Sequence, residues 1–308
     1  MIAIIGGLGA AVLWAAATLA SSRSSRMLGS RVVLGWVMLV GMVVGLPLAL
    51  LSPGPATIVP STYALLALAG TSGVVGLQLA YAALRIGKVS IVAPIVATSG
   101  AVAALIAVSL GDVIGPVAAA MLAVIAIGVV LSARSPGKTD VPAGEFDVVA
   151  DAIDEPPPVG APPNTDAHAI DSRRSAILAI AAALVFGVGL VAAGKAASLV
   201  PVTWVALAAR VVAMGVVVLP LLIQGRLRMT RAALPLIVIA GLAEFFGAIS
   251  HAFASRDSVA IAAVMGSQFA AVAAVAAFLL FNERIGRLQL VGVVLIVAGV
   301  SILSAVTA

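Results

Sequence analysis

The chain is divided into about ten apolar stretches of roughly 20 residues, the length at which an α-helix crosses the hydrocarbon core of a bilayer. Hydrophobic residues make up 63% of the chain and charged residues 9%, whereas charged residues make up about a quarter of a soluble domain. The sequence therefore predicts an all-α polytopic membrane protein. The predicted spans are 2–20, 32–51, 63–84, 89–110, 114–133, 175–195, 200–223, 232–254, 258–280 and 287–306.

The segment 134–174 differs in composition from the apolar stretches around it. It holds seven prolines and eight of the 12 carboxylates of the chain. Such a segment cannot bury enough apolar surface to fold, so we expect a disordered, acidic, proline-rich linker. The linker separates a first group of five spans, residues 1–133, from a second group, residues 175–308.

The two groups of spans are related by an internal repeat. A constant shift of 171 positions superimposes the third to fifth spans on the eighth to tenth without a gap. Because each repeat has an odd number of spans, the second copy must enter the membrane from the opposite side, as in many secondary transporters. The register pairs Gly70 with Gly241, Gly76 with Gly247, Arg85 with Arg256, Asp112 with Glu283, Gly115 with Gly286 and Gly128 with Gly299.

The basic residues predict how the chain is oriented in the membrane. Fourteen of the 17 Lys and Arg residues lie on one side of the predicted topology, either in the linker or after spans one, three, seven and nine. Cytoplasmic loops carry such an excess, so we expect a cytoplasmic linker and both termini outside. The net charge of +5 does not indicate nucleic-acid binding, because the basic residues are clustered at the ends of spans.

The last predicted hairpin, Asn282 to Arg287, combines an acidic residue with basic ones and precedes an apolar helix with spaced glycines. This signature and the repeat resemble the EamA-type transporters of the drug/metabolite transporter superfamily, as do Trp14, Phe186-Gly187 and the junction Tyr81 to Pro94. The resemblance implies a bacterial plasma-membrane protein with ten helices around a central cavity, lined mainly by spans one, three, four, six, eight and nine. Asp112 in place of a glutamate and the long linker depart from the family pattern.

Glu244 is the one carboxylate that lies well inside a predicted span, and Arg210 lies inside the preceding span. Charged groups at that depth are expensive, so they usually face the protein interior, pair with each other and mark a functional site. One interpretation is a static ion pair that locks two helices together. The other is a substrate site in which an amino acid exchanges partners, with its carboxylate on Arg210 and its ammonium on Glu244.

Five further residues complete the set of predicted substrate-binding residues. His251 follows Glu244 by seven positions on the same helix face, where it could shuttle a coupling proton or remain a neutral hydrogen-bonded histidine. Gln78 and Tyr81 in span three and Gln268 in span nine could bind a ligand or serve only in helix packing. Trp14 belongs to the first span.

The sequence also excludes several classes of activity. It has no cysteine, no phosphate-binding loop with its Lys-Ser/Thr, no His-Glu-x-x-His pattern and no nucleophile elbow. We therefore expect no enzyme activity, no cofactor and no metal site. The prediction is a secondary transporter that exports small metabolites, amino acids for preference. The alternatives are efflux of lipophilic cations with Glu244 as counter-charge, and a membrane scaffold or receptor component whose linker docks a partner.

Overall fold

The computed structural model of the chain describes residues 1–53, 59–86, 95–132, 165–269 and 271–272, together with scattered positions between 288 and 302. In these residues the regular structure is helical. The helices are α1 (Ile2–Leu28), α2 (Ser30–Leu51), α3 (Pro60–Ile86), α4 (Ser99–Ser109), α5 (Pro116–Ser132), α6 (Thr165–Ala197), α7 (Val202–Ile223, with a π-helical turn at Met214–Val218), α8 (Leu234–Ala254) and α9 (Val259–Gly266).

Six of these helices are long and apolar enough to cross a membrane, namely α1, α2, α3, α6, α7 and α8. The prediction of an all-helical, multi-pass membrane protein is confirmed. Apolar helices of 10–17 residues cover Ile95–Ser109 and Pro116–Gly128, inside the predicted fourth and fifth spans. The end of the ninth predicted span and most of the tenth lie outside the described residues, so the plan of ten helices in two inverted repeats stays a prediction.

Helix α6 begins at Thr165, ten residues before the predicted start of the sixth span. The apolar part of α6 still begins at Arg174, as the hydropathy pattern predicts. The predicted linker residues 134–164 lie outside the described part of the chain.

The two predicted halves pack against each other along pairs of helices. The most extensive contacts join α3 with α6 and α1 with α8, and α4 packs on α9. Small residues permit this close approach, as is usual between membrane helices. At the crossing of α4 and α9, a Cβ added to Gly100 would lie 2.5 Å from Ser267 Cβ and 2.6 Å from the carbonyl oxygen of Ala263. Glycine at position 100 is therefore required by the distance between the two backbones.

At one end of the bundle, which we call the capped end, α1 and α9 begin and α4 and α8 end. The Asp112 carboxylate, after α4, accepts hydrogen bonds from the Ala260 amide (3.0 Å) and from Ser258 Oγ (3.5 Å) at the start of α9. The Asp257 carboxylate, after α8, accepts one from the Ala3 amide at the start of α1 (3.1 Å). Each aspartate thus caps a helix of the other half and satisfies amides that the helix itself cannot pair.

Replacing Gly100 by alanine tests the close crossing of α4 and α9. We expect Gly100→Ala to lower the free energy of unfolding by about 1–3 kcal/mol, because the added methyl group must push two helix backbones apart. The matched control is Gly215→Ala in α7, where nothing lies within 4 Å of the added Cβ. Thermal unfolding of the detergent-solubilised protein measures both, and equal stability of the two variants would contradict the crossing.

Candidate functional site

Glu244 and Arg210 lie near the middle of two adjacent spanning helices. Glu244 follows the start of α8 at Leu234 by ten residues and precedes its end at Ala254 by ten. With a rise of 1.5 Å per residue, the carboxylate lies about 15 Å from either end, which is half the thickness of the hydrocarbon core. Arg210 stands eight residues into α7. The two charges therefore share the central region of the bundle.

The two side chains form an ion pair, as the sequence predicts for charges at this depth. Nη2 of Arg210 contacts Oε2 of Glu244. Nη1 of Arg210 donates a hydrogen bond to the carbonyl oxygen of Ala206, one turn back in α7 (2.9 Å). The guanidinium carbon also lies 5.3 Å from the ring centroid of Phe245, within the range of a cation–π interaction. A carboxylate, a carbonyl group and an aromatic face together stabilise the arginine charge.

Helix α2 leaves room for these side chains through two glycines one turn apart. A Cβ added to Gly41 would lie 3.0 Å from Nε of Arg210, and one added to Gly45 would lie 2.6 Å from Cε2 of Phe245. The sequence contains this Gly-x-x-x-Gly pattern, which general helix packing explains equally well. The structure gives it a more specific purpose, because Gly41 faces Arg210 and Gly45 faces Phe245, whose ring lies against the guanidinium. Phe245 itself was not among the predicted site residues.

The two members of the pair differ sharply in accessibility. The Arg210 side chain is 2% exposed and the Glu244 side chain 26% exposed. The lipid-facing side of α8 carries the exposed residues Ile239, Phe246 and Phe253, spaced seven apart. Glu244 is two positions from Phe246 and thus about 200° away around the helix. The accessible part of its side chain therefore faces the interior of the bundle, away from the lipid.

His251 and Trp14 come together further along the same face of α8. The imidazole is 2% exposed, and its ring centroid lies 5.7 Å from that of Trp14 on α1. Its Nε2 lies 3.4 Å from the hydroxyl of Ser255. Between Glu244 and His251, Gly247 makes room for the indole, because a Cβ there would lie 2.7 Å from Cδ1 of Trp14. Trp14 thus joins α1 to α8 within one turn of the ion pair.

Among the described contacts, none places the remaining predicted residues against the Arg210–Glu244 pair or the His251–Trp14 contact. Gln268 is buried just after α9, and its Nε2 lies 3.7 Å from Sδ of Met265. Gln78 is exposed on α3, on the same stripe as Thr71 and Val75. The side chain of Tyr81 lies outside the described residues. Substrate binding by all these residues stays a prediction. Across the described residues, no group of three or more His, Asp and Glu side chains could hold a metal ion.

Comparison with known proteins identifies a family. The model of the EamA-like transporter family matches residues 1–134 and 173–305. Nineteen chains of solved structures are significantly similar. One of them, described only as a crystal structure of a protein, has a TM-score of 0.69 and 17% sequence identity, and the match covers 99% of this chain and 97% of the other. At this identity the likeness concerns the fold alone. No curated protein matches the chain significantly.

A double-mutant cycle tests whether the ion pair holds α7 and α8 together. Arg210→Met and Glu244→Met should each lower the free energy of unfolding by about 3–5 kcal/mol, because each leaves a charge unpaired in the middle of the bundle. The double variant should lose much less than the sum of the two. Unfolding in mixed micelles gives the free energy of unfolding of the wild type, the two single variants and the double variant. Additive losses would contradict a direct interaction between the two side chains.

Proposed function

The chain belongs to the EamA-like transporter family, and we propose that it is a secondary active transporter that exports small metabolites, amino acids for preference, by alternating access. Membership makes it a multi-pass membrane protein of a transporter family. The substrate class, the direction of transport and the mechanism are our proposal. The observation that carries it is the Arg210–Glu244 pair in the centre of two spanning helices, in which the Glu244 side chain stays 26% exposed on the interior side of α8.

A purely structural ion pair does not need this accessibility. Two charges that only lock helices together are most stable when both are sealed from water and lipid by packed side chains. Here Arg210 is sealed and Glu244 is not. A partly accessible charge at membrane depth is typical of substrate and ion pathways. The geometry therefore favours a functional role for Glu244 in addition to its contact with Arg210.

The capped end supports alternating access around this central site. There the Asp112 and Asp257 caps join one half to the other, and an apolar cluster lies next to them. The cluster combines buried residues of both halves, among them Ile4, Ala107 and Val264. By the positive-inside rule this end is the outer one in the plasma membrane of a bacterium, with the linker in the cytoplasm. We propose that the structure represents a state closed to the outside.

Transport by purified protein in liposomes tests the proposed function. We expect uptake or release of at least one radiolabelled amino acid from a panel of the 20, measured with and without a pH gradient. Glu244→Gln should abolish it, because the accessible charge is lost. Arg231→Gln, which removes an exposed charge between α7 and α8, is the control. Full transport by both Glu244→Gln and Arg210→Met at normal expression would refute a role for the pair.

The absence of cysteine from the chain permits a direct test of the closed outer end. A single cysteine at Ala107, which is fully buried, should react slowly with a membrane-impermeant maleimide added from outside. Asp112→Ala should raise the labelling rate about fivefold, because the loss of a helix cap costs about 1 kcal/mol of the closed state. Asp112→Asn keeps an acceptor and should raise it less. Equal labelling rates in all three proteins would contradict the proposal that the capped end closes the site to the outside.

A further inference from the structure

We infer that the central site recognises a protonated amine through Glu244, and that Arg210 is a positioning residue that does not touch the substrate. This inference rests on the proposed transport function and names the chemical class of its substrate. It keeps the part of the amino-acid hypothesis that places the substrate ammonium group on Glu244. It abandons the part that places the substrate carboxylate on Arg210.

The Arg210 side chain is 2% exposed, so a ligand cannot reach the guanidinium in this structure unless a neighbouring group moves. Its Nη2 is engaged by Glu244 and its Nη1 by the carbonyl oxygen of Ala206. The ring of Phe245 and the backbone at Gly41 occupy further directions around the guanidinium. A substrate carboxylate would have to displace Glu244 or Phe245 to reach it, and displacing Glu244 would leave that carboxylate without its partner. Binding of an anion here is therefore costly.

Glu244, in contrast, has one oxygen committed to Arg210 and an accessible surface toward the interior. A carboxylate provides two oxygens and about four lone pairs, so the contact with Arg210 leaves acceptor capacity for a second cation. An ammonium group that approaches from the interior side of α8 would bind to the lone pairs that Arg210 does not use. A carboxylate that approaches along the same path would meet a like charge. The pair thus selects ligands by the sign of their charge.

Trp14 provides an independent observation in favour of a cation. It packs against Gly247, one turn from Glu244 on the interior side of α8. Indole has the most favourable face for cation–π interactions among the aromatic side chains. The indole of Trp14 packs on the turn of α8 that follows Glu244, so an amine bound to the carboxylate would also lie near this ring. We therefore expect both groups to contribute to binding.

Trp14 also makes the test possible without a transport measurement. The chain has three tryptophans, and Trp36→Phe with Trp204→Phe leaves Trp14 as the fluorescent reporter. The probes are three matched compounds: leucine, 3-methylbutylamine, which lacks the carboxylate, and 4-methylpentanoate, which lacks the amine. Phenylalanine, 2-phenylethylamine and 3-phenylpropanoate form a second set with a larger side chain. Each is titrated into the detergent-solubilised protein at pH 7.

We expect the amine and the amino acid of at least one set to change Trp14 fluorescence with similar affinity, and the acid to have no effect. Glu244→Gln should weaken amine binding about tenfold to a hundredfold, the usual loss for a charged hydrogen bond. Glu244→Asp keeps the charge and should keep the preference for amine over acid. Arg210→Lys should change amine and amino-acid affinity by the same factor, since a positioning residue affects both equally.

Three results would overturn the inference. One is that no amine of either set changes the fluorescence. Another is that an acid binds as tightly as its matched amine. The third is that Arg210→Lys weakens the amino acid and leaves the amine unchanged. Transport is scored separately: an amine that binds in the Glu244-dependent way but crosses no liposome membrane refutes the transport function and leaves the inference standing. Transport of compounds that lack an amine refutes the inference and leaves the transport function standing.

Discussion

Two opposite charges in the middle of a bilayer are tolerated only when each stabilises the other, and much of the described structure around α7 and α8 serves this requirement. Arg210 binds Glu244 directly, donates to Ala206 and lies over the ring of Phe245. Helix α2 approaches Arg210 and Phe245 closely because Gly41 and Gly45 carry no side chain there. The pair therefore sets the distances among three helices as well as the chemistry of the central region.

The carboxylates of the described spans and hairpins fall into two groups with different environments. Asp112 and Asp257 lie at helix ends, where each pairs with backbone amides at the start of a helix from the other half. Each of these two carboxylates therefore acts on the first turn of one helix. Glu244 lies at the centre, pairs with a side chain and stays partly accessible from the interior. Of these three carboxylates, Glu244 is the one that lies in the middle of a spanning helix.

The unequal burial of the two partners has a direct consequence for selectivity. A site made of one sealed cation and one accessible anion attracts positive groups, although its net charge is zero. A transporter with such a site can discriminate amines from carboxylates without a second charged residue. The neighbouring indole of Trp14, placed by the small Gly247, extends the same preference. In the predicted repeat register, Gly73 of the first half pairs with Glu244 of the second half, so the first half has no counterpart of this carboxylate.

The sequence by itself determined the membrane class, the positions of the long spans and the pairing of Arg210 with Glu244. Hydrocarbon length and the cost of an unpaired charge are local constraints, and a linear pattern records both. It also indicated the shared face of Glu244 and His251. Only the tertiary structure decided that Phe245 and Gly41 enclose the arginine and that Trp14 contacts His251. It also decided that Glu244 is the accessible member of the ion pair and Arg210 the buried one. These facts depend on how helices distant in sequence approach each other, which hydrophobic periodicity does not encode.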